Sequence, residues 1–453
     1  MTGSATHVSA ARLVGRDRAL RLDCGAVSAA ALGASMVLSV GLTDGGYYGR
    51  TSTALTIGFT AVAMLGAMHG GGLGRGGAAA LGVLVALFAW TALSASWAVP
   101  GSLVEQEASR ALLYTSALAA LLFASDHRRR RALLLGLAAG IAVLGLVAVC
   151  MRAASGEVVD RFYGTLLEEP LGYPNALGVL AALGVVVGVG LELPGIAGRA
   201  LRGSAAFLVL VLGLSGSRGA ALALVVAFVM LVALGEPGTR PGIALRALAA
   251  LLLGGAAWAG AVWTDAGGAW LVVLATVAWA GAALMVDPAR APAGAALASV
   301  GLAAAAAAVA IAVLQPVDTT TSFRTAYWQA ALEEARARPL LGSGAGSFHL
   351  TWERRGPDGM FVRDAHSLYV EALSELGPAG LVLTLALVIV PISAAIRGRG
   401  DPIVAVAGAA FVLFAVHAAL DWDWEMPVVT LAALGCAAVV LARPPSPGTH
   451  TTD

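Results

Sequence analysis

QPVDTTTSFRTAYWQAALEEARARPLLGSGAGSFHLTWERRGPDGMFVRDAHSLYVEALSELG, residues 315–377, is the only long polar stretch between hydrophobic runs. Its setting decides the fold. The 453-residue chain is 58% hydrophobic and 12% charged, with a mean hydropathy of +0.83. A water-soluble domain could not bury that much apolar surface, so lipid must be the solvent for most of the chain. The 57 glycines and abundant alanines suit close helix–helix contact in a bilayer. The expected fold is all-α: a polytopic membrane protein of about 12–14 transmembrane helices with one large extracytoplasmic loop.

Working outward from the loop, apolar runs long enough to span a hydrocarbon core of ~30 Å fall at about 25–43, 51–70, 77–97, 110–125, 131–150, 173–192, 203–217, 218–234, 243–264, 267–286, 292–314, 378–396, 402–420 and 426–442. The breaks at Gly216–Arg218 and Asp265–Gly268 are the slightest. The organisation expected is a cytoplasmic tail over 1–24, a transmembrane bundle of about eleven helices over 25–314, the loop over 315–377, C-terminal spans over 378–442 and a cytoplasmic tail over 443–453. Arg12, Arg16, Arg18 and Arg21 precede the first run. No convincing cleavage site with a soluble domain follows, so a retained first helix is expected rather than a signal peptide.

All 28 basic side chains are arginine. With both termini cytoplasmic, the connections at 71–76, 126–131, 193–202, 235–246, 287–291 and 397–401, together with the tails, hold 17 of those 28. The short connections at 43–50, 98–109, 265–266 and 421–425 hold only Arg50 and are otherwise acidic. This alternation obeys the positive-inside rule and puts 315–377 outside a cytoplasmic membrane. Arg324, Arg336, Arg338, Arg354, Arg355 and Arg363, with Arg218 from the 215–218 turn, then cluster on the outer face. Net charge is +1, so no nucleic-acid partner is expected. Cys24, Cys150 and Cys436 have neither metal nor disulfide spacing.

Within the loop, Ser322 is the expected N-cap of a helix over 323–337, ended by Arg338-Pro339. That helix makes Arg324 and Trp328 neighbours at i, i+4. Gly342, Gly344 and Gly346 permit tight turns. Asp364 is the expected N-cap of a second helix ending at Gly377-Pro378, with His366 in its first turn. His366 is either a polar residue at a helix start or a general base, kept neutral by the helix dipole and oriented by Asp364. Arg218 and Arg324 are either interfacial arginines with snorkelling side chains or paired forks for phosphate oxygens. Trp328 is an interfacial aromatic or a sugar platform. Asn175, behind Gly172-Tyr173-Pro174, caps a helix or binds a ligand. Glu168/Glu169 is a weak metal signal. Asp421-Trp422-Asp423-Trp424-Glu425 reads as a solvated interfacial turn, and His417 as a packed histidine. The glycine turn lacks the Lys-Ser/Thr of a nucleotide-binding loop. No metal site and no cofactor are expected.

Taken in order, Tyr173-Pro-Asn175, Ser217-Arg218-Gly219, Arg324 with Trp328, Pro339…Gly342-Ser-Gly344-Ala-Gly346-Ser-Phe348, Ala365-His366-Ser367-Leu368-Tyr369 and Glu375-Leu-Gly377 resemble the O-antigen ligase and polymerase family of bacterial envelope glycosyltransferases, over roughly 160–385. The resemblance implies a metal-independent enzyme of the GT-C kind. It implies transfer of a glycan from undecaprenyl diphosphate to an acceptor hydroxyl on a glycan, lipid or protein, at the outer face of the cytoplasmic membrane. It further implies that His366 activates the acceptor and that Arg218 and Arg324 hold the diphosphate. Ser367 departs from the asparagine frequent in the family after the histidine. Direct displacement would invert the anomeric carbon. The competing class is a transporter or flippase of envelope precursors. It calls for paired ionisable residues at mid-bilayer and an inverted repeat, and neither is evident.

Overall fold

The computed structural model describes residues 24–49, 52–68, 72–155, 164–263, 269–284, 320–356 and 361–442. Among these it has fifteen α-helices and no strand: α1 (Cys24–Gly41), α2 (Ser52–Met68), α3 (Arg75–Leu93), α4 (Val104–Ala124), α5 (Arg130–Ser155), α6 (Pro174–Gly190), α7 (Gly195–Ser215), α8 (Arg218–Leu234), α9 (Arg240–Trp263), α10 (Ala269–Leu284), α11 (Thr320–Ala337), α12 (Phe348–Arg355), α13 (Leu368–Arg397), α14 (Pro402–His417) and α15 (Pro427–Leu441). Six are long and apolar enough to cross a membrane: α1, α3, α5, α7, α9 and α13. Five shorter apolar helices, α2, α6, α8, α14 and α15, accompany them. The protein is an all-α polytopic membrane protein.

The hydropathy runs and the helices agree to within a few residues, with two informative exceptions. Helix α4 begins at Val104, so Glu105 and Glu107 lie in its first turn rather than in a connection. Helix α7 begins at Gly195, eight residues before its apolar run, because Arg199 and Arg202 interrupt hydropathy without interrupting the helix. Gly216, at φ +65°, ends α7 and separates it from α8. The expected span at 292–314, the break at 265–268 and both tails lie outside the described residues.

Small side chains let the helices approach closely, as lipid-embedded packing demands. A Cβ on Gly136 of α5 would sit 2.0 Å from the Ala30 carbonyl oxygen of α1, so the two backbones touch there. Helices α6, α14 and α15 are buried along almost their whole length. They are the centre around which the others pack.

The connections sort to two ends. At one end Arg130 pairs with Asp401, Arg246 with Glu192 at 2.7 Å, and the Gly400 N–H donates to the Leu234 carbonyl at 2.8 Å. These tie together the connections read above as cytoplasmic. At the other end, Val99 N–H donates to Ser343 O at 2.9 Å and Leu167 N–H to Leu214 O at 2.9 Å. A Cβ on Gly45 would meet Met426. The turns at 43–49, 94–103, 164–173, 215–218 and 418–426 thus gather with 320–376 at one end, as the arginine alternation requires.

Candidate functional site

Two expected caps are replaced. Helix α11 starts at Thr320, so Ser322 lies inside its first turn. Helix α13 starts at Leu368 with Ser367 as its N-cap, so Asp364 caps nothing and His366 stands before the helix. The backbone of His366 is left-handed, at φ +55°, an uncommon conformation for a non-glycine residue. Helix α13 breaks at Gly377 (φ +67°), which separates the short helix 368–376 from the apolar run after Pro378.

The glycine turn is built around Glu375. The N–H groups of Gly346, Ser347 and Phe348 all donate to its carboxylate at 2.7 Å, and Gly344 N–H donates to its carbonyl at 2.8 Å. Gly342, Gly344 and Gly346 have φ of +71°, +94° and +66°. A Cβ on Gly342 would fall 2.4 Å from the Glu375 carbonyl. The turn is therefore a mount that locks α12 to α13.

His366 is held from three sides. Its Nδ1 lies 3.0 Å from the Asp364 carbonyl oxygen. A carbonyl only accepts, so Nδ1 carries the proton and Nε2 keeps its lone pair. The Trp328 indole N–H donates to the His366 carbonyl at 3.3 Å, which makes Trp328 a brace for the histidine backbone. The Tyr327 ring lies 5.0 Å from the imidazole and the Trp422 ring 6.1 Å. Burial lowers the His366 pKa below its ordinary 6.5, against the opposing pull of Asp421 and the Asp364 carbonyl. Desolvation is the largest influence on the ring here, and it acts in the direction of the neutral form.

Asp421 is the hub. Tyr173 O–H donates to its Oδ1 at 2.6 Å, Asn175 Nδ2 to its Oδ2 at 2.7 Å, and Arg324 Nη2 to Oδ2 at 3.0 Å. Its burial would raise its pKa, but His366, Arg324, His417 and the Tyr173 hydroxyl overcome that and hold it below the carboxylate range. The site so joins Tyr173 and Asn175 at the start of α6, Arg324 from α11, His366 before α13 and Asp421 after α14. The reading of 421–425 as a solvated turn is overturned: Asp421, Asp423, Trp424 and Glu425 are all buried. His417 is a packed histidine, fully buried and bonded to Asp423 at 2.7 Å. Next to it, a Cβ on Gly219 would come within 3.2 Å of its ring. That contact brings Arg218, the first residue of α8, to the turn that carries Asp421.

Besides Arg324, three of the loop arginines share one acidic partner. Arg338, Arg354 and Arg355 converge on the buried Glu334 at 3.1, 3.2 and 3.3 Å. Their charge stabilises the α11–α12 contact. The Asp364 carboxyl joins a trio with Glu371 and Glu425 whose ligand oxygens lie within 4.8 Å of one another. That trio has the reach to chelate a cation. Burial also pushes Asp364 up to about 7 and Glu425 well above its ordinary value. Glu371 accepts the Ala365 N–H, and Glu425 lies 3.7 Å from Arg110.

Residues 203–385 match the family model described as O-antigen ligase. The O-antigen ligase match covers Arg218, the glycine turn, Arg324, Trp328, Asp364 and His366, and leaves Tyr173, Asn175 and Asp421 outside. It supports a membrane-bound glycosyltransferase-type enzyme acting on glycan and lipid-linked substrates. No curated protein matches the chain.

Proposed function

We propose that this protein transfers a glycan from a polyprenyl-diphosphate-linked donor to an acceptor hydroxyl, as an oligosaccharide ligase or polymerase, at the outer face of the cytoplasmic membrane. The observation that carries the reading is the state of His366. Its Nδ1–H is committed to the Asp364 carbonyl, its burial favours the neutral ring, and the Asp421 carboxylate is near enough to oppose that by favouring the charged form. Such an imidazole accepts a proton at Nε2 and is stabilised once charged.

The step balances without an added reactant. The acceptor oxygen attacks the anomeric carbon as its proton passes to His366 Nε2. The bond from that carbon to the diphosphate oxygen breaks, and the diphosphate leaves with the electron pair. One displacement inverts the anomeric carbon. Arg324, 28% exposed, and Arg218 supply positive charge where negative charge grows on the leaving group. In this reading the reaction runs without a metal. Asn175 and Tyr173 hold Asp421, and Asp364 supplies the carbonyl that fixes the imidazole tautomer.

Purified protein incubated with a defined polyprenyl-diphosphate-linked oligosaccharide and candidate acceptors tests this. His366→Ala and Arg218→Ala should each abolish transfer while inserting normally. Wild-type product from either variant would sink the proposal.

A further inference from the structure

The tip Arg338-Pro339-Leu340-Leu341, between α11 and the glycine turn, is held where two membrane spans end. Trp97, one residue beyond the span Arg75–Ser96, donates its indole N–H to the Leu341 carbonyl at 3.0 Å. Trp90, within α3, donates to the Leu376 carbonyl at 2.9 Å. A Cβ on Gly377 would fall 2.5 Å from the Leu340 carbonyl oxygen, and Pro378 follows, where the apolar run of α13 begins. The tip therefore lies at the level where α3 leaves the bilayer and α13 enters it. Tryptophan favours this level.

At that level the tip turns apolar side chains outward. Leu340 is 78% exposed and Leu341 41%. With Trp97 and Pro339 they wall a shallow, open recess of about 270 Å³, and Arg338 and Gly342 complete its lining. Leu93 at the end of α3 is exposed, as are Pro378, Ala379 and Val382 on α13. Exposed apolar residues thus flank the tip on both spans that it touches. A patch so placed, on a chain whose solvent is lipid, is a lipid contact.

Cations border the same recess. Arg336 and Arg338, at the end of α11, are both exposed. Arg338 meets Glu334 at 3.1 Å, but Arg354 and Arg355 lie on the same carboxylate. One carboxylate cannot neutralise three guanidinium groups. The neighbouring Glu333 is 54% exposed and pairs with Arg355. Arg336 pairs with no acid among the described residues. Arginines beside exposed leucines suit the headgroup region: the leucines enter the acyl boundary while the guanidinium forks meet phosphate oxygens.

We propose that the 336–341 tip is seated in the bilayer surface, and that the recess beside Trp97 takes an anionic phospholipid whose phosphate pairs with Arg338 and Arg336. The inference stands apart from the transferase reading. The tip runs directly into the glycine turn, which is mounted on Glu375. The lipid contact therefore holds that end of the loop at the membrane boundary.

Fluorescence quenching at position 340 tests both parts. The full-length protein carries Leu340→Cys labelled with bimane, and Cys24→Ala and Cys150→Ala remove the two exposed native thiols; Cys436 is buried. It is reconstituted in nanodiscs containing phosphatidylcholine or phosphatidylglycerol with a nitroxide near the top of an acyl chain. Lipid nitroxide should quench the label strongly, and aqueous iodide should quench it weakly. At equal mole fraction, phosphatidylglycerol should quench about threefold more efficiently than phosphatidylcholine. Arg336→Gln/Arg338→Gln should remove that preference and leave quenching by phosphatidylcholine unchanged. A label that lipid nitroxide fails to quench, whether iodide reaches it or a protein partner shields it, would overturn the seating. Equal quenching by the two lipids, or a preference that survives the double substitution, would overturn the phosphate site.

Discussion

The two ends of the bundle use charge in opposite ways. At the arginine-rich end the acid is the partner nearer solvent: Arg130 and Arg246 are buried, while Asp401 is 30% exposed and Glu192 57%, and Arg131 donates to the Glu192 carbonyl. These pairs pin helix ends together, and each keeps one partner that water screens. At the other end the acids are the buried partners. Asp421, Glu375 and Glu334 are almost wholly buried, and each gathers several donors at once: Tyr173, Asn175 and Arg324 on Asp421, the N–H groups of 346–348 on Glu375, and Arg338, Arg354 and Arg355 on Glu334. A buried carboxylate must be matched by several donors, so each of these three fixes the relative position of several segments. The comparison teaches that one end is fastened and the other is assembled.

That contrast can be broken by mutation. The largest effect is expected from His366→Ala, which should lower transfer by about 10²–10⁴-fold, the usual contribution of a general base. Immunodetection in isolated membranes should show unchanged insertion, and a rate within tenfold of wild type would remove the functional difference between the ends. Asp421→Asn should lower kcat by roughly 10–100-fold, or about 1.4–2.8 kcal/mol of barrier. It should also move the acid limb of the pH–rate profile to lower pH, because Asp421 raises the His366 pKa and the variant loses that pull. Glu375→Gln should cost about 1–3 kcal/mol of local stability, since one amide oxygen cannot replace a carboxylate that takes three N–H donors. Faster amide hydrogen exchange over 344–348 would report it. At the fastened end, Arg130→Gln should shift the melting temperature only slightly, for a loss of about 1 kcal/mol, and leave transfer within twofold. A loss of activity there comparable to that of Asp421→Asn would erase the contrast.

The helices were legible because a span needs about twenty apolar residues in a row, and such runs survive single arginines such as Arg199. The sorting of connections to two ends was legible from arginine placement. His366, Arg324 and Asn175 stood out through residue type and setting. What local pattern hid was long-range pairing. Asp-Trp-Asp-Trp-Glu at 421–425 has the composition of an interfacial turn, and nothing in it says that Asp421 meets Tyr173, Asn175 and Arg324. Nothing in the sequence around Glu375 says that the glycine turn folds onto its carboxylate. Ser322 and Asp364 were read as caps because both are good cap formers near helix starts, but one helix begins earlier and the other later. The left-handed backbone of His366 could not be anticipated from a residue type that rarely adopts it. Asp421, four residues after His417 and next to Trp422, was a local hint of the hub.

The account turns on a neutral imidazole at position 366 that takes the acceptor's proton. The direct measurement is the pH dependence of kcat/KM for purified wild type with a lipid-linked oligosaccharide donor. The rate should hold as pH falls to 6.5 and drop only below it, as the buried ring finally protonates, and His366→Ala should have no such limb and almost no activity. An acid limb that persists unchanged in His366→Ala, alongside substantial turnover, would contradict the account.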